Sequence, residues 1–420
     1  PHTGTVENCL FQGLKDTPSS YAGFGIVNYG SLTIQDNEFT GIGRVGMWIG
    51  GPGNTVTGNL YTGKGTGDWL DYGIELGMGG TADITANMIT NCKGIASVDG
   101  STSAGILVST YYGAGTQADV ENNFITGNSA GIVVGFDASD VSVVNAHNND
   151  LSGNSSYGIV TTAPEVFASC NWWGTANGQN IQALTDGNID YTPWLTDGTD
   201  DQPALKGFQP VAGSCNGTPV EITSVVPGTV ICGETTGTLQ VTWTGGVTTY
   251  TVDWGGTPVS GIAGSPYTIT GLPFSSYTVS VTDIFGNTDT YSPVSIVAPP
   301  RYTISGTLKY YKPFATDIAL NNVTLGLLNS SFTQIDSYTI PSGGGGAYNF
   351  DDLCPGTYYV TVLNNPRAAG GINSSDATNA NFWSVNGGSI QQARFMAGDV
   401  SWDQLIYSGD ALDMQNYFVY

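Results

Sequence analysis

Short runs of alternating apolar and polar residues recur in one register over the first 175 positions. The register is set by Ile34-Gln-Asp-Asn-Glu-Phe39, with Asn37 as its reference slot. Cys9, Asn37, Asn59, Asn87, Asn123, Asn149 and Asn171 fill that slot, at intervals of 28, 22, 28, 36, 26 and 22 residues. Three positions earlier stand Val6, Ile34, Val56, Ile84, Val120, Ala146 and Ala168. Two positions later stand Phe11, Phe39, Tyr61, Ile89, Ile125, Leu151 and Trp173. A second set of runs opens on glycine, as in Gly46-Met-Trp-Ile49, Gly73-Ile-Glu-Leu76, Gly105-Ile-Leu-Val108 and Gly131-Ile-Val-Val134. Internal periods of this length mark stacked-repeat architectures.

These runs are three to five residues long, rich in β-branched residues and bounded by Gly, Asn, Asp and Ser. None shows the 3.6-residue period of an amphipathic helix. Successive copies are therefore predicted to pair as parallel strands, rising about 4.8 Å per coil, so that seven coils make a rod of roughly 30–35 Å. A turn residue aligned in every coil tolerates the left-handed conformation, and its side chain can bond a neighbour's backbone. Stacked amides also bond one another along the axis. Glycine four positions after the slot (Gly13, Gly41, Gly63, Gly127, Gly153) is predicted to supply a positive φ at the next corner. Residues 91–104 and 109–119 interrupt the pattern and read as corner insertions, which in repeat proteins gather on one face and often carry binding.

The repeat resembles the right-handed parallel β-helix superfamily, the pectate-lyase-like solenoids, over residues 1–200. Cys170-Asn-Trp-Trp-Gly174 and Tyr191-Thr-Pro-Trp-Leu195 look like that family's terminal coil. Trp172, Trp173 and Trp194 are then expected to cover the open end of the core, as terminal repeats must. The first residue falls within a coil already in progress, without a cap of its own, and no signal peptide is read. The resemblance is specific for fold and weak for function.

Residues 201–218 read as a linker, opened by Thr196-Asp-Gly-Thr-Asp-Asp-Gln-Pro203. Beyond it the alternating runs lengthen, as in Leu239-Gln-Val-Thr-Trp-Thr244 and Tyr277-Thr-Val-Ser-Val-Thr282, and predict a small β-sandwich over 219–299. Gly271-Leu-Pro-Phe-Ser-Ser-Tyr-Thr-Val-Ser-Val-Thr-Asp283 resembles the immunoglobulin-like repeats of gliding-motility adhesins, which implies a stalk module. After Pro299-Pro300, residues 300–363 predict a second sandwich. Its Leu353-Cys-Pro-Gly-Thr-Tyr358 segment resembles carboxypeptidase-regulatory-like or collagen-adhesin B-type modules.

The tail, 364–420, is the helix-prone part. Gly371-Ile-Asn-Ser-Ser-Asp-Ala377 repeats 34 residues later as Leu405-Ile-Tyr-Ser-Gly-Asp-Ala411. This is similar to a dockerin, which implies calcium-loop-plus-helix units and a partner module. In an EF-hand-type loop the Ca2+ oxygens of the second copy would come from Asp399, Ser401, Asp403, the Leu405 carbonyl, Tyr407 through water, and Asp410. Gln404 stands where such a loop carries glycine. The first copy offers only Asn365 and Asp376, with Arg367 and Ala369 at intervening ligand positions, so a second site is weak. The alternative is that Asp399 and Asp410 only tie down turns, Asp410 as a helix cap.

The fold class read from sequence is thus mainly β: a right-handed parallel β-helix, two immunoglobulin-like sandwiches and a small dockerin-like helical unit. The chain of 420 residues carries 34 acidic against 10 basic side chains, a net charge of −24. Nucleic acid is excluded as a partner, because binding it rests on clustered cations. No apolar run reaches the length of a membrane span. Six cysteines suit an oxidising compartment. Cys9 and Cys92 stand about three coils apart and cannot bridge. Cys215 and Cys232 are the preferred disulfide, leaving Cys170 and Cys354 as packed thiols.

Chemistry on the solenoid is sparse. Asp68-Trp-Leu-Asp71 with Glu75 is the best acidic constellation for hydrolysis. Trp69 and Tyr72 could stack on sugar rings. The competing reading of these acids is solvated turn residues, and it is preferred. His147 has no carboxylate partner in its run and reads as structural. The expectation is an extracellular scaffold of the bacterial surface, exported by a type IX route. It would act by adhesion or fibre assembly with other surface proteins or copies of itself, without turnover. The rival is a carbohydrate-active protein that binds or cleaves polysaccharide on residues 1–200.

Overall fold

The computed structural model describes residues 3–14, 22–310, 318–364, 366, 374–386, 390 and 392–419. Asn365, Arg367 and Ala369 lie outside the described residues. The chain divides into two compact units. One comprises 1–230 with 234–297, the other 231–233 with 298–420.

The first unit begins as a parallel solenoid with three strand faces. The first face stacks eight strands from Thr3–Glu7 and Ser31–Gln35 up to Val166–Phe167 and Ile189–Asp190. The second stacks Leu10–Gln12, Glu38–Thr40, Leu60–Gly65, Met88–Cys92 and Phe124–Thr126. The third runs from Phe24–Asn28 through Val45–Ile49, Tyr72–Leu76, Ala104–Val108, Ala130–Val134 and Tyr157–Thr161 to Thr185–Asp186. The strand pairings within these faces are parallel and keep one register, as Val6 beside Ile34 beside Val56, except where Cys92 shifts to pair with Gly65. The asparagine run thus supplies two strands per coil, bent at the slot, and the glycine run supplies the third.

The slot residue does not itself take the left-handed conformation. The residue before it does, at Asn8, Asp36, Ala86, Asn122, Asn148 and Cys170 with φ between 54 and 58°, and at Gly58 with φ 66°. This frees the slot asparagine to point inward, where each side-chain carbonyl accepts both the backbone and the side-chain N–H of the preceding coil. Asn37 donates to Asn59 (3.0 and 3.0 Å), Asn59 to Asn87 (2.9 and 2.9 Å) and Asn87 to Asn123 (2.8 and 3.0 Å). The ladder continues through Asn149 to Asn171, and Cys9 joins it by its backbone N–H alone. Buried amides are satisfied in this way without water. The glycine expected at the next corner has positive φ at 13, 41, 127 and 153. Gly63 instead lies inside the longer strand Leu60–Gly65, and Gly65 turns the corner.

The leading glycine of the third-face runs answers the core. A Cβ at Gly46 would lie 2.4 Å from the Tyr61 ring, and one at Gly158 2.7 Å from Trp173. The large residues two positions past the slot therefore require a bare backbone opposite. Helix α1 (Gly178–Gln182) with Ile181, Trp173 and Trp194, all fully buried, closes the last coil, while Trp172 faces outward and is half-buried.

The stretch expected to be a linker is packed. Phe208 is fully buried edge-on to Phe124, with centroids 5.5 Å apart, and exchanges hydrogen bonds with Asn122. Cys215–Gly217 then pairs antiparallel with Trp194–Leu195. That return path corrects the expected Cys215–Cys232 bridge: Cys215 is bonded to Cys170, and Cys232 to Cys354. Nearness in sequence misled here, because the chain folds back to the end of the solenoid before continuing. Cys170 and Cys354 are accordingly not free thiols. Cys9 and Cys92 are, the first exposed and the second buried.

Residues 221–295 follow as two antiparallel sheets of three and four strands around Leu239, Val241, Val252 and Val281. Their Asp283–Asn287 turn meets α1: Gly178 N–H donates to Asn287 Oδ1, and Asn177 Nδ2 to the Phe285 carbonyl at 3.2 Å. The second unit holds further antiparallel strands around Val323, Leu325, Leu327 and Phe350. It also holds helices α2 (Ser374–Asn386), α3 (Gln392–Gly398) and α4 (Ser408–Val419). Ala377, Ala380, Ala411 and Met414 bury where α2 packs on α4.

Candidate functional site

The acids singled out in the sequence are not brought together as a catalytic pair. Asp71 is fully buried. It accepts the Tyr61 hydroxyl at 2.5 Å and the Lys64 backbone N–H at 2.6 Å. Burial pushes its carboxyl up, opposed by those two bonds and the Lys64 charge. Tyr61 is raised well above its ordinary value by burial and by Asp71. Asp68 faces the other way and pins residue 97, accepting from Ser97 N–H at 2.8 Å and its hydroxyl at 2.7 Å. Asp68 thus holds the 91–104 insertion in place, and Asp71 ties down the strand Leu60–Gly65.

Glu75 lies on the third face, between Trp48 and Leu107 on the adjoining strands. Burial raises its carboxyl, while the Arg44 charge and hydrogen bonding from Trp48 pull it down. Tyr72 is pushed up to about 12 by burial and by Glu75, against Arg44. Arg44, Trp48, Tyr72 and Glu75 therefore form one electrostatic group, and the Arg44 Nε is buried with no hydrogen-bond partner.

Neither stacking candidate offers an open ring. Tyr72 is buried, with its hydroxyl on the Thr102 carbonyl at 3.3 Å. Trp69 is half-buried between Gly67 and Gly94, donates to the Gly65 carbonyl at 3.2 Å and carries the Lys64 ammonium 5.3 Å from its centroid.

The exposed aromatic surface lies elsewhere. Tyr29, Trp48, Tyr112, Tyr111 and Phe136 contact one another in succession, with centroids 5.1, 6.3, 4.9 and 5.2 Å apart. Tyr29 and Tyr111 are 67% and 64% exposed, whereas Trp48, at 8%, is the buried hub. Asp140 fixes this strip. It accepts from Thr110 N–H at 2.8 Å, the Ser109 hydroxyl at 3.1 Å, Phe136 N–H at 3.3 Å and Ser142 N–H at 2.8 Å. Burial would raise Asp140, and the Ser142 and Thr110 bonds outweigh it and hold the carboxyl low. The sequence marks 109–119 as an insertion but gives no sign that Tyr111 and Tyr112 meet Trp48 and Phe136.

In the tail, Asp399 and Asp410 are buried. Asp399 accepts from Asp403 N–H at 3.1 Å and Gln404 N–H at 2.8 Å. Asp410 accepts from Ser401 N–H at 3.0 Å and Tyr407 N–H at 3.0 Å. Burial opposes ionisation of Asp410, and the backbone donors outweigh it and lower the carboxyl. The Asp403 carboxylate turns to Leu405 N–H at 3.0 Å. Hard oxygens of this kind suit Ca2+. Among the described residues, however, no three acidic, histidine or cysteine side chains converge on one point. As arranged, three carboxylates of the loop, Asp399, Asp403 and Asp410, accept from its own backbone. Asp376 lies in the first turn of α2.

The family described as right handed beta helix region matches residues 2–171. The solenoid is a right-handed β-helix. The match ends at Asn171, the last rung of the ladder, and leaves the later antiparallel sheets and helices unmatched. No curated protein and no solved structure matches the chain. No helix among the described residues is long and apolar enough to cross a membrane.

Proposed function

We propose that the protein is an extracellular scaffold of a bacterial surface that works by contact, without turnover. The observation that carries this reading is the immobilisation of Asp68, Asp71 and Glu75 in separate structural roles while an ordered aromatic strip stays open. A hydrolase needs two carboxyls across one substrate bond, whereas Asp68 holds the insertion at Ser97, Asp71 holds Tyr61 and Lys64 of a core strand, and Glu75 sits within a buried strand. Two disulfides suit an oxidising compartment. On this reading the antiparallel sheets act as immunoglobulin-like stalk modules and the tail as a dockerin-like unit. Type IX export would deliver the chain, and its partners are other surface proteins or copies of itself. Calcium at Asp399, Ser401, Asp403 and Asp410 belongs to the same proposal and would stiffen the tail.

The test is incubation of the whole chain with pectin, alginate and neutral glucans, with and without calcium. Unchanged polymers are expected, and released oligosaccharides overturn the proposal.

A second reading, glycan binding without cleavage, is favoured by the Tyr29–Phe136 strip, since exposed rings on a rigid face stack on sugars. Saturable retention on a glycan array, lost in Tyr111→Ala and Tyr112→Ala, supports it. Equal retention by both variants removes it.

A further inference from the structure

The segment after residue 199 crosses the outside of the solenoid and leaves a groove of about 550 Å³ beneath it. Its floor is the outward column of the second face, where Leu60, Met88 and Phe124 stand in register on three successive coils. Leu60 and Met88 remain exposed at 36% and 43%. Phe208 closes the Phe124 end, and Pro203, Leu205 and Gly207 form the roof. The rim carries Asp36, Glu38 and Asp200 against one cation, Lys206. Asp200 Oδ1 is held by Gln202 N–H at 3.2 Å and Gln209 N–H at 3.1 Å, which fixes that carboxylate at the rim.

Lys206 shows what this rim accepts. Its ammonium reaches Asp36 Oδ1 at 2.5 Å and the Gly58 carbonyl at 3.1 Å. Its stem lies against the coil corner, where a Cβ on Gly58 would be 3.1 Å from Lys206 Cδ. An alkyl stem on the corner and an ammonium on carboxylate and carbonyl is thus an arrangement the groove already hosts once. Three carboxylates to one ammonium leave the rim short of positive charge. The volume falls in the range of small-molecule sites, which pair a largely apolar lining with a few placed polar groups.

We propose that this groove is a binding site for small amphipathic organic cations, with an apolar body on Leu60 and Met88 and an ammonium at Asp36 and Glu38. The inference is independent of the scaffold reading. An anionic ligand is excluded by the rim, and a purely apolar one would leave the carboxylates unmatched.

The experiment uses the full chain with 13C-methyl methionine. Five methionines report, of which Met88 lies in the groove and Met47, Met78, Met396 and Met414 do not. Hexylammonium and hexanoate are titrated separately to 10 mM. The expected result is a saturable shift of the Met88 methyl with hexylammonium, at least fivefold weaker in Asp36→Asn/Glu38→Gln and absent with hexanoate. Equal shifts with both probes, equal movement of Met78, or no movement of Met88 each overturn the proposal. The comparison of probes on the unaltered chain needs no variant to fold.

Discussion

Inside the solenoid the Tyr61 hydroxyl donates to the fully buried Asp71 carboxylate at 2.5 Å. A carboxyl whose value is raised on folding contributes stability that is complete at low pH. That contribution is lost as the pH climbs from the ordinary carboxylate value through the raised one. Asp71 is such a group, with burial as the main cause. Relative to Asp71→Asn, the unaltered chain is expected to lose thermal midpoint as the pH rises through that window. Each unit of raised pKa is worth about 1.4 kcal/mol. Melting curves of both proteins from pH 3 to 7 check this, and a constant difference across the range refutes it.

The amide ladder gives a sharper contrast. Asn123 Nδ2 donates to the Asn149 side chain and the Ile84 carbonyl, and its Oδ1 accepts from Asn87. Asn123→Ala leaves several buried groups unpaired and should cost at least about 2 kcal/mol in urea unfolding, since each such group costs about 1–3 kcal/mol. Asn145 is on the outside of the first face, bonded to Asp119 at 2.7 Å. Asn145→Ala should stay within about 0.5 kcal/mol.

Peptide mapping without reductant should recover Cys170 linked to Cys215 and Cys232 linked to Cys354, with Cys9 and Cys92 unlinked. In the native state Cys9 should alkylate within minutes and Cys92 only on unfolding, because one thiol is exposed and the other buried. A Cys215–Cys232 peptide would contradict the return path of residues 196–217.

Phe208 is the buried anchor of the segment that crosses the solenoid. Phe208→Ala removes a fully buried ring and should cost about 3–5 kcal/mol. Leu205→Ala, at an exposed position, should cost less than about 0.5 kcal/mol. Chemical denaturation of the two variants decides between an anchored strap and a loose linker.

Calcium addition should raise the melting temperature of the tail, and Asp399→Ala and Asp410→Ala should abolish that rise. Without added calcium both variants should still lower stability, since Asp399 and Asp410 each hold two backbone N–H groups. A calcium-insensitive melt in the unaltered chain removes the ion from the proposal.

The repeat itself was legible because the slot asparagine, the apolar residue three before it and the large residue two after it recur in one register. Repetition of that kind needs no long-range information: each coil meets a copy of itself. The other amide columns were missed. Asn28 donates to Asn54 at 2.6 Å, and Asn128 N–H to Asn154 at 2.9 Å, but these occupy only two coils each and leave no period to read.

Sequence by itself therefore determined the stacked parallel strands, their buried amide ladder and the change to longer antiparallel strands after residue 219, all consequences of local pattern. Tertiary structure alone decided the cysteine partners, the burial of Asp71, the joining of Tyr111 to Trp48 through Tyr112, and the strap over Leu60 and Met88. Those depend on where distant segments return in space. A corner insertion or a fold-back leaves the local pattern unchanged while choosing which side chains meet.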